Sequence, residues 1–172
     1  MHWFLNTLRG WLGLTPPRLR CKRAVWEVGT AELARRTLDG RRESGAYLLG
    51  KHRPDGSRDI LEFIYYDDID PAALATGIVT IRQTALPRLW ELCRSRGYGV
   101  VADVHVHPHG YGQSSSDQEN PVMPRQGHIA LILPDFAQNQ PCPGKIGMFE
   151  FLGNGAWTQH SDEGTKFFRL EA

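Results

Sequence analysis

The feature that most constrains the fold is a short apolar run that ends in two closely spaced histidines. The run from Tyr98 to Val104 is rich in β-branched residues and follows the turn glycine Gly97, which predicts a buried strand. Side chains two positions apart on a strand point to the same face, so His105 and His107 should emerge side by side at its end. Pro108 then ends the strand. The pattern predicts two imidazoles at one edge of a sheet.

The loop that follows carries the sequence Ser114-Ser-Ser-Asp117 and can return a carboxylate to the histidines. Two neutral imidazoles and one carboxylate, with a fourth position open, are the ligand set of a catalytic zinc. A metal hydrolase is therefore the first hypothesis. An H-x-H pair also arises by chance on exposed strands, and Ser-rich loops often carry a carboxylate without function. A partner elsewhere in the chain is needed to decide between these interpretations.

Glu43 is the candidate partner, because it stands at the entrance of the short apolar strand Tyr47–Leu49. A carboxylate at the start of a buried strand is costly unless it is paired, hydrated or near a cation. A hydrolytic metal site needs such a group as a base towards water and later as an acid towards the leaving amine. The alternative is a solvated glutamate that Arg41 and Arg42 neutralise.

Taken together, these segments resemble the JAMM (MPN+) metallopeptidase family. The resemblance rests on three stretches: Glu43-Ser-Gly-Ala-Tyr-Leu-Leu-Gly50, His105-Val-His107-Pro108 and Ser114-Ser-Ser-Asp117. It extends from about Ala24 onward and implies that one zinc ion is held by His105, His107 and Asp117. It also implies that Glu43 activates water and that Ser114 donates a hydrogen bond to the tetrahedral oxyanion.

The chain departs from the family pattern in the loop between Pro108 and Ser114, which holds five residues, one fewer than in many relatives. If the loop is rebuilt, Ser115 or Ser116 takes the oxyanion role, although Ser114 alone fits the S-x-x-D spacing. All residues of the active pattern are present, which argues against the catalytically silent MPN− scaffolds.

The predicted fold class is α/β: a single MPN (JAB)-type domain over residues 23–172, with a mixed central β-sheet flanked by helices. Apolar periodicity predicts two helices, Thr30–Leu38 capped by Thr30 and Leu86–Arg96 with Trp90 among its inward residues. Besides the run that ends in the histidines, it predicts strands at Ala24–Val28, Tyr47–Lys51, Ile60–Tyr66, His128–Leu133, Lys145–Leu152 and Ala156–His160.

Residues 1–22 differ in character and are predicted to form an N-terminal amphipathic extension. Its apolar residues fall on a helical stripe, namely Trp3, Phe4, Leu5, Leu8, Trp11 and Leu12. This helix either packs on the domain or docks on a partner or a membrane surface.

Composition excludes several function classes. The 172 residues suffice for one compact domain, and a formal net charge of +1 points to neither a nucleic-acid partner nor an anionic membrane. No apolar run reaches the length of a membrane span. Cys21, Cys93 and Cys142 are odd in number and widely spaced, which predicts reduced thiols and a cytoplasmic location.

The family resemblance implies hydrolysis of the amide bond after the C-terminal glycine of a ubiquitin-like protein, in deconjugation or precursor processing. It points to a bacterial conjugation or antiviral defence system, with activating and conjugating enzymes as partners. We expect the connector Asp67–Ile81 to offer a sheet edge for the extended tail. The alternatives are a peptidase that trims a sulfur-carrier protein, a non-catalytic MPN-type scaffold, and a non-haem iron oxygenase with the same ligand types.

Overall fold

A computed structural model describes residues 15–76 and 79–172 of the chain. Its centre is an eight-stranded mixed sheet in the order β7-β6-β5-β4-β2-β3-β1-β8. The strands are β1 (Leu19–Lys22), β2 (Gly45–His52), β3 (Arg58–Tyr65), β4 (Gly99–Val106), β5 (Ile129–Leu133), β6 (Gly147–Gly153), β7 (Ala156–Gln159) and β8 (Phe168–Glu171). The predicted mixed α/β architecture is confirmed at this level.

Helices cover the two faces of the sheet. They are α1 (Arg23–Arg36), α2 (Tyr66–Ile69), α3 (Leu86–Arg96) and α4 (Ser115–Glu119), with 3₁₀ turns at Gln83–Ala85, Asp135–Ala137 and Ser161–Lys166. Trp26 and Leu33 of α1 pack with Leu48 on one face, whereas Tyr47 packs with Leu89 of α3 on the other. Neighbouring residues of β2 thus enter opposite cores, as expected for a strand that is buried on both faces.

The positions of the central strands follow the sequence predictions closely, and the structure adds how these strands pair. Strand β2 pairs antiparallel with β3 and with β4, and β4 pairs parallel with β5. Helix α3 has the predicted bounds and ends at Gly97, which adopts the left-handed conformation with φ of 64°. The last hairpin turns through Asn154 and Gly155, whose φ angles of 52° and 74° suit a tight hairpin turn.

The predicted strand Ala24–Val28 is wrong, because these residues lie inside helix α1. The buried residues of α1 are Trp26, Gly29, Thr30 and Leu33, a spacing of three and four that marks one face of a helix. Thr30 is not the N-cap of a helix; it lies in the middle of α1 and donates from its hydroxyl to the carbonyl of Trp26 at 2.9 Å. The spacing of the buried face outweighs the local β propensity of Val25 and Val28.

The start of the domain also differs from expectation. Strand β1 falls within the predicted extension 1–22 and pairs in parallel with both β3 and β8, so its residues are part of the sheet. The stripe from Trp3 to Leu12 lies outside the described residues and stays a prediction. None of the helices in the described part of the chain has the length and apolar character needed to cross a bilayer.

Two smaller expectations on the α3 face are not met. Residues 79–82 of the connector form no strand, and Ile78 lies outside the described residues. Instead, the buried Asp70 carboxylate accepts hydrogen bonds from the backbone N–H groups of Ala72 and Arg82, which ties the connector into a compact loop. Trp90 does not point inward, since 39% of its surface stays exposed.

Candidate metal centre

The two histidines of the H-x-H-P motif lie at the carboxyl end of β4, on the sheet face that carries α3. Both side chains are nearly buried, and their Nε2 atoms are 3.0 Å apart. Backbone hydrogen bonds hold His107 beyond the last residue of the strand: its N–H donates to Leu133, and its carbonyl accepts from Phe136. The rings are therefore fixed by the sheet rather than by a mobile loop.

Asp117 reaches the histidines because of the way helix α4 begins. Ser114 is the N-cap, and its Oγ accepts a hydrogen bond from the N–H of Asp117 at 3.2 Å. The Asp117 carboxylate accepts in return from the N–H of Ser114 at 2.7 Å, which completes a capping box. Its two oxygens also lie 3.3 Å from Nε2 of His105 and of His107. The S-x-x-D spacing thus places a carboxylate over two imidazoles.

These three side chains fit a divalent metal. The two Nε2 atoms lie 3.0 Å apart, each is 3.3 Å from one of the two oxygens of Asp117, and one ligand atom from each residue lies within 4.8 Å of the others. A tetrahedral site with metal–ligand distances of about 2.0–2.1 Å separates its ligands by about 3.3 Å, which is of the same size. Two imidazole nitrogens and one carboxylate oxygen suit zinc, and also iron in its divalent state. His105, His107 and Asp117, as predicted, could therefore hold one metal ion.

Glu43 lies beside this group because of the register between β2 and β4. Gly45 pairs with His105, and the N–H of Val106 donates to the carbonyl of Ser44, which places Glu43 across from His107 on the same face. A side chain at Gly45 would meet the ring of Tyr66 at 2.3 Å, so the close approach at this point requires glycine. The hydroxyl of buried Ser44 donates to Leu33 at 2.7 Å and locks the entrance of β2.

The charges of the site reinforce this arrangement. Partial burial raises the pKa of the Glu43 carboxyl, and the Asp117 charge adds to the rise while the two imidazoles oppose it. Burial works against a charge on His105, but its hydrogen bond to Asp117 and the nearby carboxylates outweigh this and raise its pKa. Burial of Asp117 is outweighed by hydrogen bonds from both imidazoles, so its pKa lies well below the usual range. Glu43 therefore has the properties of a base, and Asp117 those of a permanent anion.

Ser114 occupies a different position from the metal ligands. Its side chain is exposed and accepts the capping bond, which leaves its hydroxyl hydrogen free to donate. The loop from Pro108 to Ser114 packs closely against β6, because a side chain at Gly147 would meet the carbonyl of Tyr111 at 2.2 Å. His109, which follows the motif, is exposed, as expected for a loop residue.

A buried polar group that the sequence pattern did not predict lies next to the candidate metal ligands. Asp103 lies two positions before His105 on the same face of β4, and its carboxylate is 2.6 Å from Nε2 of His128. The second oxygen accepts a hydrogen bond from the Tyr66 hydroxyl at 2.8 Å. All three side chains are buried. The signal in the sequence is the carboxylate itself, which interrupts an otherwise apolar run in phase with the two histidines.

Comparisons with known proteins identify similar folds but give no information about the chemistry of the site. No protein-family model matches the chain. The solution structure of a protein from Desulfitobacterium hafniense superimposes with a TM-score of 0.62 at 16% identity, covering 89% of this chain and 92% of that one. A protein from Salinibacter ruber gives a TM-score of 0.53 at 17% identity, covering 82% and 88%. Identities this low establish a shared fold alone.

Proposed function

We propose that the chain is a zinc metallopeptidase of the JAMM (MPN+) type, with one MPN-type domain. The observation that carries the proposal is that His105, His107 and Asp117 lie close enough to share one metal ion, with a half-buried carboxylate, Glu43, beside them. The H-x-H-P and S-x-x-D motifs supply the ligands, and the strand entrance of β2 supplies the base. A structural ion pair would need neither three potential ligand atoms within 4.8 Å of one another nor a fourth group with a raised pKa.

Each residue has a separate role in the proposed amide hydrolysis. A zinc ion held by the three ligands would polarise the scissile carbonyl and make water more acidic. Glu43 takes a proton from the attacking water and later delivers it to the leaving amine, and its raised pKa suits both steps. The Ser114 hydroxyl donates to the oxygen that becomes negative as the tetrahedral centre forms.

We infer that the substrate is the amide bond after the C-terminal glycine of a ubiquitin-like protein. The loop between α4 and β5 spans only residues 120–128, which leaves little room for a larger insertion that would grip a second folded protein. A C-terminal tail that ends in glycine is narrow, because glycine has no side chain. Its backbone can therefore approach Glu43 and the three ligands closely. The free thiols of Cys21, Cys93 and Cys142 are consistent with a protein that functions in the reducing cytoplasm.

The proposal is tested by incubating the full chain with ubiquitin-like proteins encoded beside its gene, each extended past its C-terminal glycine by a short peptide. Zinc-loaded protein should release the peptide, as followed by mass spectrometry, and His105→Ala should not. His109→Ala is the matched control, because this exposed histidine adjoins the motif without contributing a ligand.

Other outcomes would redirect the proposal in defined ways. Cleavage of a sulfur-carrier precursor, with no action on ubiquitin-like fusions, would keep the chemistry and change the substrate. Zinc binding without any hydrolysis would indicate a non-catalytic scaffold. Anaerobically purified protein that holds iron and no zinc would overturn the metallopeptidase and favour the oxygenase alternative.

A further inference from the structure

A cavity lies at the opposite end of β4 from the two histidines. Its volume is about 670 Å³, and its walls include His52 at the end of β2, Arg58 at the start of β3 and Gly99 at the start of β4. Small-molecule sites have volumes of about 300–1,000 Å³. None of the proposed catalytic or metal-binding residues lines this cavity. It is therefore large enough for a ligand and separate from the metal centre.

The charged side chains in the wall of the cavity are all basic. Arg58, Arg94 and Arg125 all line it, and its lining contains no aspartate or glutamate. Within the part of the chain that the structure describes, neither Arg94 nor Arg125 forms an ion pair. Burial and the charges of Arg58 and Arg125 lower the pKa of His52. A bound anion would relieve the mutual repulsion of these groups.

One of the three guanidinium groups is already held in place. The Arg58 side chain is half-buried and donates to the carbonyls of Val101 at 2.9 Å and Gly127 at 2.6 Å. Burial also lowers its pKa, and Arg18 and Arg125 act in the same direction while Glu150 opposes them. A preorganised cation loses little side-chain entropy when an anion binds.

An exposed aromatic surface adjoins the arginines. Trp90 lies one helical turn before Arg94 on α3, so the two side chains lie on the same side of the helix, and both line the cavity. Trp90 keeps 39% of its surface exposed, although large aromatic side chains are usually well buried. The ring of Tyr98 forms part of the same wall. At the end of α3, the N–H groups of Gly97 and Tyr98 donate to the carbonyls of Arg94 and Cys93.

We propose that this cavity, lined by Arg58, Arg94, Arg125 and Trp90, binds a nucleotide. The guanidinium groups match phosphate oxygens in charge and geometry, and the indole ring offers a stacking surface for a planar base. An acidic peptide would satisfy the arginines but would leave the aromatic surface without a matching ring. This inference is independent of the proposed peptidase activity.

The test uses the full chain carrying His105→Ala, which breaks the proposed metal site and prevents nucleotide phosphates from competing for zinc. Isothermal titration calorimetry with ADP, GDP, CDP and UDP should show saturable binding of at least one of them, and the matching nucleoside without phosphate should bind about tenfold more weakly or worse. The double substitution Arg94→Ala/Arg125→Ala and the single substitution Trp90→Ala should each weaken binding by about tenfold or more. These side chains are largely exposed, so the fold should persist.

Arg88→Ala is the matched control, because Arg88 is an exposed arginine of α3 that does not line the cavity. Binding should be unchanged in this variant. The proposal is overturned if no nucleoside diphosphate binds, if Arg88→Ala weakens binding as much as the cavity variants do, or if a hexaglutamate peptide binds more tightly than every nucleotide. Because hydrolysis plays no part in this measurement, its failure and the failure of the proposed function are separately observable.

Discussion

The carboxylate of Asp117 lies 3.3 Å from Nε2 of His105 while it also accepts a hydrogen bond from the N–H of its own helix cap, Ser114. One side chain thus closes a capping box and, in the proposed metal site, would complete the ligand set. The cap fixes the rotamer that the ligand role requires, so the loop that carries Asp117 needs no metal to place it. Such preorganisation by local hydrogen bonds is what a metal site on a short loop requires.

Asp117→Ala should lower the zinc affinity by more than about 100-fold, because the loss of an outer-shell partner alone costs about 10–100-fold and Asp117 is a direct ligand. Asp117→Asn retains an oxygen for the cap but loses the charge, and should give an intermediate affinity. Zinc competition with a chromophoric chelator measures both. The control variant His109→Ala should have the same zinc affinity as the unsubstituted protein. Equal affinities for all three variants would remove Asp117 from the ligand set.

Glu43→Gln should abolish peptide release while zinc remains bound at the normal stoichiometry. The amide keeps the size of the side chain but cannot take a proton from water. Zinc content by elemental analysis and turnover of a ubiquitin-like fusion are measured on the same sample. Loss of zinc from Glu43→Gln would mean that Glu43 is a ligand rather than a base.

Ser114 has two roles in our interpretation, as helix cap and as oxyanion donor, and two substitutions separate them. Ser114→Ala should lower stability by about 1 kcal/mol through the lost cap, whereas Ser114→Gly should cost only a few tenths of that. Both lack the hydroxyl, so both should reduce turnover by about 100-fold or more while zinc stays bound. If glycine spares turnover and alanine does not, the cap is what matters. If Ser115→Ala shows the loss instead, the neighbouring serine supplies the donor.

Zinc binding should weaken as the pH falls, because zinc takes neutral imidazole and the pKa of His105 is raised in the metal-free protein. The stability of the metal-free protein changes in the opposite sense. A histidine whose folded-state pKa lies above its unfolded value contributes stability below the unfolded pKa, and this contribution is lost as the pH rises through the folded pKa. The zinc-induced increase in melting temperature should therefore grow from about pH 5.5 to about pH 8. His105→Ala should remove this growth, and a shift that is equal at both ends of the range would contradict the assignment.

Much of the fold could be predicted from the sequence where the hydrophobic pattern had one interpretation. Strand β2 and helix α3 were predicted because a short apolar run between glycines and an amphipathic stretch ending in glycine each favour one structure. Strands β1 and β8 have only four residues each, and they are stabilised by pairing with distant parts of the chain. Such pairing leaves no periodic signal in the sequence. Residues 24–28 were predicted as a strand because Val25 and Val28 have high β propensity, although both lie in helix α1.

The arrangement of His105, His107 and Asp117 was easier to predict than its surroundings. His105 and His107 are related by the two-residue period of a strand, and Asp117 is placed by a local cap, so neighbouring sequence determines most of this geometry. The partner of Asp103 is different, because His128 lies 25 positions further along and reaches it only across the parallel pairing of β4 with β5. The role of such a residue depends on the tertiary register, which a single sequence does not reveal.

The buried pair formed by Asp103 and His128 gives the last prediction. Asp103→Leu should lower the free energy of unfolding, because it leaves the buried His128 and the Tyr66 hydroxyl without their hydrogen-bond partner, at about 1–3 kcal/mol for each group. The double variant Asp103→Leu/His128→Leu should lose less than the sum of the two single variants, since neither member of the pair is then left buried without the other. Urea denaturation of metal-free protein measures these values and keeps zinc out of the comparison. Additive losses would show that the two side chains do not stabilise each other, and that the carboxylate beside His105 is balanced by another group.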